Sequence, residues 1–291
     1  MRYLSRIPFE DFVGDLCTPG SVEQAVSGCN LVIHCASMVS FWDNHRAQMY
    51  RVNVDGTKTL AQACLRQGIQ KIIYTSSVNA LGFPACPRSL GDEGMPFNYD
   101  PHHYPYCHSK HLAEKILLQL QDQGLKPVII NPGTMLGEQD MNQLAGAYVI
   151  NIAKGRLLAS LEGGSSFCYV RDVAKAHVDA IGRGKAGHRY ITAGHNLSYR
   201  EVFALIADHL KKRKPFITLT ESRALAVASV FEFASRFTRK PPSFTCGMAR
   251  FSNIFNYFSS QKSQEQLDYK ISDIHFMIDK TIGWYRGVGI I

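Results

Sequence analysis

The chain has 291 residues, of which 45% are hydrophobic and 19% are charged. This is the composition of an ordinary globular protein, and it excludes the disordered and fibrous classes. The formal net charge is +8 at pH 7, an excess that attracts anionic partners such as nucleic acid, anionic lipid or a phosphate-bearing cofactor.

The basic residues are scattered along the chain, and the densest run is Lys211 to Lys214. Such a run is typical of the solvated end of a helix. No zinc-finger or RNP-like motif accompanies it. We therefore predict that nucleic acid is not a partner of this protein.

Eight cysteines are distributed over the chain without a Cys-x-x-C pair, and several lie in apolar runs. This pattern predicts reduced, mostly buried thiols in a cytosolic protein, and no metal site. The first residues lack the pattern of a secretory signal. The expected location is therefore the cytoplasm.

Three short apolar runs predict strands of one sheet: "LVIHCAS" at 31–37, "KIIYTSS" at 71–77 and "KPVIINPG" at 126–133. Continuous apolar runs of this length are typical of strands that are buried on both faces. Segments with helical periodicity separate them, at 52–68 and at 106–124, and each ends at a glycine. The alternation predicts an α/β fold with a doubly wound parallel sheet that binds ligands at the carboxyl ends of its strands.

The segment "GRGKAG", from Gly182 to Gly187, fits the G-x-G-x-x-G pattern of dinucleotide-binding turns. Such a turn binds phosphate only where it follows a strand and opens a helix. Here a segment of helical pattern precedes the glycines, and a strand-like segment, "HRYITA", follows them. We interpret the glycines as the end of a helix and a turn, and not as a nucleotide site.

The C-terminal third predicts a smaller lobe over the strand ends, with helices at about 199–212 and 273–284. The apolar stretch Ala224 to Phe233 is too short to span a bilayer. A buried or substrate-covering helix is the favoured interpretation of this stretch. Contact with a membrane surface is the less favoured one, and it would involve the nearby basic residues Arg236, Arg239 and Lys240.

Tyr106 and Lys110 form a Y-x-x-x-K pattern at the start of a predicted helix. The i, i+4 spacing puts the phenol and the ammonium on one face of that helix. A lysine cation stabilises a phenolate and lowers the tyrosine pKa from its usual value of about 10. Such a tyrosine exchanges a proton with a carbonyl or alcohol oxygen. By itself the pattern also fits a helix surface with a solvated lysine.

Ser76 and Ser77 end the predicted strand at 71–77, at the sheet edge where ligands bind. The Ser77 hydroxyl is placed to hydrogen-bond a substrate oxygen beside Tyr106. A serine that caps the junction between strand and loop is the alternative interpretation.

The segments "YTSSVNALG", "DEGMPF", "YCHSKHLAEK" and "VIINPGTMLG" occur in the order typical of extended short-chain dehydrogenases/reductases. The chain resembles this NAD(P)-dependent epimerase/dehydratase superfamily over nearly its whole length. Within it, the chain is similar in particular to bacterial dihydroflavonol-4-reductase-like and 3β-hydroxysteroid-dehydrogenase-like proteins. The resemblance implies a Rossmann-like fold with a small C-terminal substrate lobe. The implied activity is hydride transfer that reduces a ketone or oxidises a secondary alcohol.

The resemblance also implies roles for individual residues. Ser77, Tyr106 and Lys110 match the catalytic serine, tyrosine and lysine, and Lys110 would also hold the nicotinamide ribose. The implied cofactor is NADP or NAD, and Arg6 favours NADP. The implied cofactor contacts are Arg6 at a 2′-phosphate, Asp15 and Leu16 at the adenine, Ala36 and Ser37 at the ribose and phosphates, Asn53 as the helix asparagine that steadies the active-site strand, Pro132 and Gly133 in the turn beside the nicotinamide, and Tyr106 and Lys110 themselves.

Taken singly, three of these residues fit plainer roles. Asp15 could equally be a surface acid in a salt bridge. Asn53 could be an amide that caps a helix, and Arg6 could be a solvated arginine. The resemblance divides the chain into a dinucleotide-binding core and a substrate lobe. The core would be 1–135 with a contribution from 165–195, and the lobe would be 136–164 and 196–291.

The chain departs from the family pattern at its beginning, where "MRYLSR" looks like the second strand of the family. The first β-α unit, about 30 residues in such folds, is missing together with the glycine-rich turn that holds the pyrophosphate. We expect either a sequence that starts late or a genuine short form that binds cofactor poorly.

Two alternatives to the oxidoreductase stay open. A sugar-nucleotide epimerase or dehydratase uses the same three catalytic residues, and a non-catalytic, truncated family member would act as a binding protein. The "NPG" turn and the apolar stretch from Ala224 favour a lipophilic small-molecule substrate. Homodimerisation through the helix that bears Tyr106 and the helix before it is the habit of the family.

Overall fold

The computed structural model describes residues 8–86, 88–238 and 241–291. Arg6, for which a contact with a 2′-phosphate is predicted, lies outside the described residues, as do Arg239 and Lys240. The strands, in chain order, are β1 (Leu31–His34), β2 (Lys71–Thr75), β3 (Lys126–Pro132), β4 (Thr134–Leu136), β5 (Ala159–Leu161), β6 (Gly164–Tyr169), β7 (Arg189–Thr192), β8 (His195–Ser198), β9 (Ile217–Leu219) and β10 (Phe255–Asn256).

Helices fill most of the intervals between these strands. The α-helices are α1 (Pro19–Val26), α2 (Arg46–Tyr50), α3 (Thr57–Arg66), α4 (Pro105–Gln119), α5 (Gly146–Ala153), α6 (Val170–Arg183), α7 (Tyr199–Leu210), α8 (Glu221–Thr238), α9 (Cys246–Phe251), α10 (Gln261–Leu267) and α11 (Ile274–Gly287). A π-helical turn, Arg51–Gly56, leads into α3, and short 3-10 turns cover Asp43–His45, Val78–Ala80 and Leu120–Gln123.

A parallel sheet of four strands, in the order β1-β2-β3-β7, forms the centre of the chain. In its register, Ile33 is opposite Ile73, and Ile73 is opposite Val128. Helices α1, α3 and α4 pack on one face of the sheet, and α6 and α10 pack on the other. This arrangement confirms the predicted α/β fold with a doubly wound parallel sheet.

Strand β1 lies at one edge of this sheet in the part of the chain that the structure describes. Its Ile33 is 43% exposed, so the prediction that this strand is buried on both faces is wrong. The apolar run has a paired strand on one side only, and that is why its side chains are incompletely covered. The prediction holds for the interior strand β2, because Ile72 and Ile73, which face opposite sides of the sheet, are both fully buried.

The glycines of "GRGKAG" lie between the end of α6 and the start of β7. Gly187 adopts a φ of +75°, a backbone conformation that favours glycine. Its N–H donates a hydrogen bond of 2.7 Å to the Pro127 carbonyl at the start of β3. The order helix, turn, strand confirms that this segment is not a phosphate-binding turn.

A second sheet follows in the chain, with the strand order β10-β6-β4 and with β8 antiparallel to β6. Helices α5, α7 and α11 pack together with this sheet in one apolar core around Phe167. The predicted helices at 199–212 and 273–284 correspond to α7 and α11. Helix α7 begins with a capping box, in which Ser198 and Glu201 satisfy each other's backbone N–H groups.

The apolar stretch from Ala224 lies within α8, and it is only partly covered. Ala224 and Ala228 are fully buried against Ala249 of α9. The favoured interpretation of a buried helix is wrong for the other side of α8, where several large apolar side chains are exposed. In the described part of the chain, no helix combines the length and the apolar character that crossing a bilayer requires.

All eight cysteines are free thiols. The prediction that most of them are buried is wrong, because only three are: Cys64, Cys107 and Cys168. The buried three lie in regular elements that face an apolar core. The exposed three, Cys29, Cys35 and Cys86, lie in the segments between elements.

Candidate active site

Ser77 lies two residues beyond the end of β2 and begins the 3-10 turn at Val78–Ala80. Its side chain is 8% exposed, and its hydroxyl accepts a hydrogen bond of 3.2 Å from the backbone N–H of Asn79. The alternative role as a cap is therefore real. It leaves the hydroxyl proton available, and the hydroxyl lies close enough to the phenol of Tyr106 to lower the pKa of that phenol.

Tyr106 lies in the first turn of α4 and is 8% exposed. The ring of Phe41 lies 6.1 Å from the Tyr106 ring, and the ring of Phe251 lies 5.1 Å from that of Phe41. Burial raises the pKa of Tyr106 above its ordinary value of 10.0, and the nearby Ser77 hydroxyl opposes the rise. The prediction that Lys110 lowers this pKa is not met in this structure. The desolvation of the phenol dominates instead.

Lys110 lies one helical turn after Tyr106 and is 1% exposed. Its Nζ donates a hydrogen bond of 2.7 Å to the carbonyl of Thr75 and lies 4.4 Å from the centre of the Tyr74 ring. The ammonium is thus directed at the carboxyl end of β2. Burial lowers the pKa of Lys110 to about 7, while the carboxylate of Glu114 acts in the opposite direction.

Asn53 is 1% exposed and lies in the π-helical turn before α3. Its Oδ1 accepts hydrogen bonds from the Met38 N–H at 2.7 Å and from the Ser37 hydroxyl at 3.1 Å. Its Nδ2 donates to the Met38 carbonyl at 2.9 Å and to the Ser109 hydroxyl at 3.0 Å. Asn53 was expected to steady the active-site strand. Its hydrogen bonds join the loop after β1 to helix α4 instead.

The end of the active-site strand is held by Asn131. Its Nδ2 donates to the Ser77 carbonyl at 2.9 Å and to the Glu114 carboxylate at 2.6 Å. The other carboxylate oxygen of Glu114 accepts from Arg189 Nε of β7 at 2.6 Å. Glu114 is fully buried, so this chain of polar contacts fixes α4 against the sheet in a region of low dielectric.

A histidine supports the same edge of the sheet. Nδ1 of His177 lies 2.8 Å from the Val173 carbonyl, and Nε2 lies 2.7 Å from the Thr75 hydroxyl. A carbonyl oxygen only accepts, so Nδ1 carries the proton and Nε2 accepts from Thr75. Burial lowers the pKa of His177, which keeps the ring neutral and this tautomer in place.

The residues expected at the adenine lie on the surface before α1. Asp15 is exposed, and its carboxylate lies 3.7 Å from the guanidinium of Arg51. Asp15 therefore has the contacts of a surface acid in a salt bridge, which is the alternative interpretation of this residue. Leu16 is half-buried and packs against Gly56, at which a Cβ atom would meet the Leu16 side chain at 2.8 Å. Ala36 and Ser37 are exposed just beyond β1.

Pro132 ends β3, and Gly133 joins it to β4. Pro132 is buried and Gly133 is half-buried. A Cβ atom at Gly133 would overlap the carbonyl oxygen of Ser166 in β6. Only glycine therefore lets the turn beside the candidate site pack on the second sheet.

The geometry fits one end of a dinucleotide. Ser77, Ser37 and Gly133 each follow a parallel strand and lie at the same sheet edge, where such sheets bind nucleotides. Tyr106 and Lys110 face this edge from α4. These residues fit the nicotinamide and its ribose. For the pyrophosphate, residues 8–86, 88–238 and 241–291 offer no glycine-rich turn that follows a strand and opens a helix.

Sequence reasoning missed the polar residues that support the site. Asn131 is a single amide within the apolar run "VIIN", and Glu114 lies one turn after Lys110 on the same helix. A polar residue in a buried strand needs a hydrogen-bond partner, and this was the available signal. His177 gave a weaker sequence signal, because it occurs in a helix with several other polar residues.

The model of the "NAD dependent epimerase/dehydratase family" matches residues 7–193. A Synechocystis protein that carries the name of a dihydroflavonol 4-reductase is 28% identical over 293 aligned positions, which cover 99% of this chain and 85% of that protein. The sterol demethylase protein B of Methylococcus capsulatus is 25% identical over 291 positions, which cover 99% and 88%.

Among solved structures, the crystal structure of gox2253 superposes with a TM-score of 0.84 at 30% sequence identity. The superposition covers 100% of this chain and 88% of that chain. The likeness extends over both sheets and the C-terminal helices.

Proposed function

The chain belongs to the NAD dependent epimerase/dehydratase family, and from this premise we propose that it reduces a ketone, or oxidises a secondary alcohol, with a nicotinamide cofactor. The observation that carries the proposal is the proximity of the buried Tyr106 phenol to the Ser77 hydroxyl at the carboxyl end of β2. Lys110 follows one helical turn later, with a buried ammonium directed at the same strand end.

Tyr106 is the proposed general acid/base. Because burial raises its pKa, the phenol keeps its proton at neutral pH and donates it to a carbonyl oxygen that is being reduced. Ser77 hydrogen-bonds the same oxygen and holds it beside the phenol. Negative charge develops on the substrate oxygen during hydride transfer. The phenol of Tyr106 and the hydroxyl of Ser77 are already oriented as donors to this oxygen, so they lower the activation barrier without reorganisation.

NAD(P), when bound, supplies or accepts the hydride. Lys110 is proposed to turn from the Thr75 carbonyl to the nicotinamide ribose and to bring its positive charge near the phenol. A preference for NADP rests on Arg6 and stays part of the proposal. The other residues proposed to hold the cofactor are Asp15, Leu16, Ala36, Ser37, Asn53, Pro132 and Gly133.

The proposed substrate is a lipophilic small molecule. The rings of Phe41 and Phe251 cover Tyr106, and a relative named a sterol demethylase protein matches 99% of this chain. An apolar cover of this kind is poorly suited to the charged diphosphate of a sugar nucleotide. We propose further that 136–164 and 196–291, which include Phe251, form the substrate lobe, and that α3 and α4 form a homodimer contact.

The experiment is the Tyr106→Phe variant, tested with a panel of ketones and NADPH or NADH. We expect kcat to fall by about 10²- to 10⁴-fold, because one acid/base group is lost. Nucleotide binding, followed by cofactor fluorescence, should be retained. The matched control is Tyr50→Phe, which removes a phenol that hydrogen-bonds His108 of α4 at 2.7 Å.

Equal turnover by Tyr106→Phe and the wild-type protein would contradict the proposed role. A folded wild-type protein that binds the nucleotide but reduces no carbonyl compound would instead support the non-catalytic binding protein.

A further inference from the structure

Helix α8 presents an exposed apolar face that the proposed chemistry does not explain. We use the name α8 face for its five large side chains. Their exposures range from 41% for Val227 to 75% for Phe237. A contiguous apolar surface on one helix indicates an interaction site. The members of the α8 face are Val227, Val230, Phe231, Phe233 and Phe237.

The α8 face is a coherent stripe and not a scatter of single residues. At 100° per residue, its members lie within an arc of about 160° of the helix, and Ala224 and Ala228 lie outside that arc. Those two alanines are fully buried against Ala249 of α9. Helix α8 therefore has small residues on the side that packs against the protein and large apolar residues on the side that is exposed.

The segment before α8 extends this surface. Phe216 and Ile217 are 59% and 43% exposed. The guanidinium of Arg213 lies 4.6 Å from the centre of the Phe216 ring. Large apolar side chains thus lie next to the basic run 211–214, which was first interpreted as a solvated helix end.

The charge of this region has one dominant sign. Between residues 211 and 238 there are six Lys or Arg residues and two Glu residues. One of the two, Glu232, accepts a hydrogen bond of 2.8 Å from the Cys246 N–H and so faces the protein. Arg223 and Arg236 lie on α8 itself, near its two ends.

We propose that the α8 face lies on an anionic lipid surface. Aromatic and aliphatic side chains of an interfacial helix enter the boundary between headgroups and acyl chains, while Lys and Arg beside them attract anionic headgroups. Charge complementarity decides between lipid and a second copy of the chain. A two-fold contact through this face would bring two basic segments together, and like charges across an interface are costly.

The α8 face is connected to the candidate active site through packed elements. Helix α9, which supports α8, contains Phe251. The Thr245 hydroxyl at the start of α9 donates to the Phe41 carbonyl at 2.9 Å, and Phe41 in turn covers Tyr106. A lipophilic substrate dissolved in the membrane would enter on this side. This last step rests on the proposed function, whereas the lipid contact itself does not.

The test is co-sedimentation of the full chain with vesicles of phosphatidylcholine alone and of phosphatidylcholine with phosphatidylglycerol. We expect binding to the anionic vesicles, weakened at about 1 M salt, where the Debye length is about 3 Å. The variant Val230→Ser/Phe233→Ser/Phe237→Ser should bind about tenfold more weakly or worse. The control replaces three exposed apolar residues elsewhere, as Met141→Ser/Leu144→Ser/Val178→Ser, and should bind like the wild-type protein.

A second variant, Arg223→Glu/Arg236→Glu, keeps the α8 face and should lose its preference for anionic vesicles. The proposal is overturned if the wild-type protein binds neither kind of vesicle. It is also overturned if the triple serine variant binds unchanged, or if that variant converts a solution dimer into monomers. Vesicle binding needs neither cofactor nor turnover, so its failure is distinct from a failure of the proposed function.

Discussion

The side-chain amide of Asn53 donates a hydrogen bond of 3.0 Å to the hydroxyl of Ser109, and that hydroxyl donates one of 2.8 Å to the carbonyl of Tyr106. The opposite end of the same amide accepts from the Met38 N–H. One buried side chain therefore ties the first turn of α4 to the loop after β1. The position of the Tyr106 phenol depends on this tie.

We predict that Asn53→Asp lowers kcat by about 10-fold and the free energy of unfolding by about 2 kcal/mol, because a carboxylate of the same shape cannot donate to Ser109 or to the Met38 carbonyl. The KM for the carbonyl substrate should change little, since the amide acts on that substrate only through the placement of Tyr106. The measurements are steady-state kinetics and denaturant unfolding. Asn151→Asp, on α5, is the control, and an unchanged kcat in Asn53→Asp would contradict the positioning role.

The backbone elements follow closely from the sequence, and the tertiary contacts do so much less. Apolar runs and glycine stops predicted β2, β3, α3 and α4, because local periodicity determines those elements. The exposure of Ile33 in β1 was not predictable, since it depends on which strands lie beside it in space. The exposed α8 face was missed for the same reason.

In the candidate site too, the local placement of residues followed from the sequence, whereas the effects of tertiary contacts did not. The Y-x-x-x-K spacing located Tyr106 and Lys110 on one helix, and both lie at the expected sheet edge. The pKa of Tyr106 was expected to be lowered, whereas burial raises it. Desolvation depends on residues that are distant in the sequence, such as Phe41, which carries no motif of its own.

A prediction about stability concerns the ion pair between Arg189 and the fully buried Glu114. Arg189→Met should lower the free energy of unfolding by about 3 kcal/mol, because it leaves a buried carboxylate without its cation. Adding Glu114→Gln to that variant should recover part of the loss. Denaturant unfolding measures both effects.

A matched control for this pair is Arg66→Met, which breaks the exposed pair with Glu23. This variant should change the free energy of unfolding by no more than about 1 kcal/mol. Equal losses in Arg66→Met and Arg189→Met would show that burial does not set the strength of the inner pair.

A pH dependence follows from the buried ammonium of Lys110. Its pKa is lowered from 10.5 to about 7 in the folded protein, so between these pH values the unfolded chain binds more protons than the folded one. Stability should therefore rise with pH across this window, and the stability linked to Lys110 is lost as pH falls toward 7. The free energy of unfolding, measured at several pH values, should rise more steeply for the wild-type protein than for Lys110→Met.

Lys115→Met is the control for this titration, because Lys115 is exposed on the same helix. Its pH dependence should match that of the wild-type protein. Parallel curves for Lys110→Met and the wild-type protein would show that Lys110 does not titrate in this range. The comparison uses slopes only, since the hydrogen bond to Thr75 is lost at every pH.

The last prediction concerns the direction of the reaction. Because burial keeps Tyr106 protonated, the phenol itself should not titrate during ketone reduction between about pH 6 and 9, whereas alcohol oxidation needs the phenolate and should rise with pH over that range. Phe41→Ala admits water to the phenol and so brings the Tyr106 pKa down toward 10. The rising limb of kcat/KM for oxidation should then move to lower pH. Phe255→Ala removes a ring that lies 5.5 Å from the ring of Tyr257, and this variant should leave that limb in place. Coincident limbs for Phe41→Ala and the wild-type protein would mean that the apolar cover does not set the acidity of the phenol.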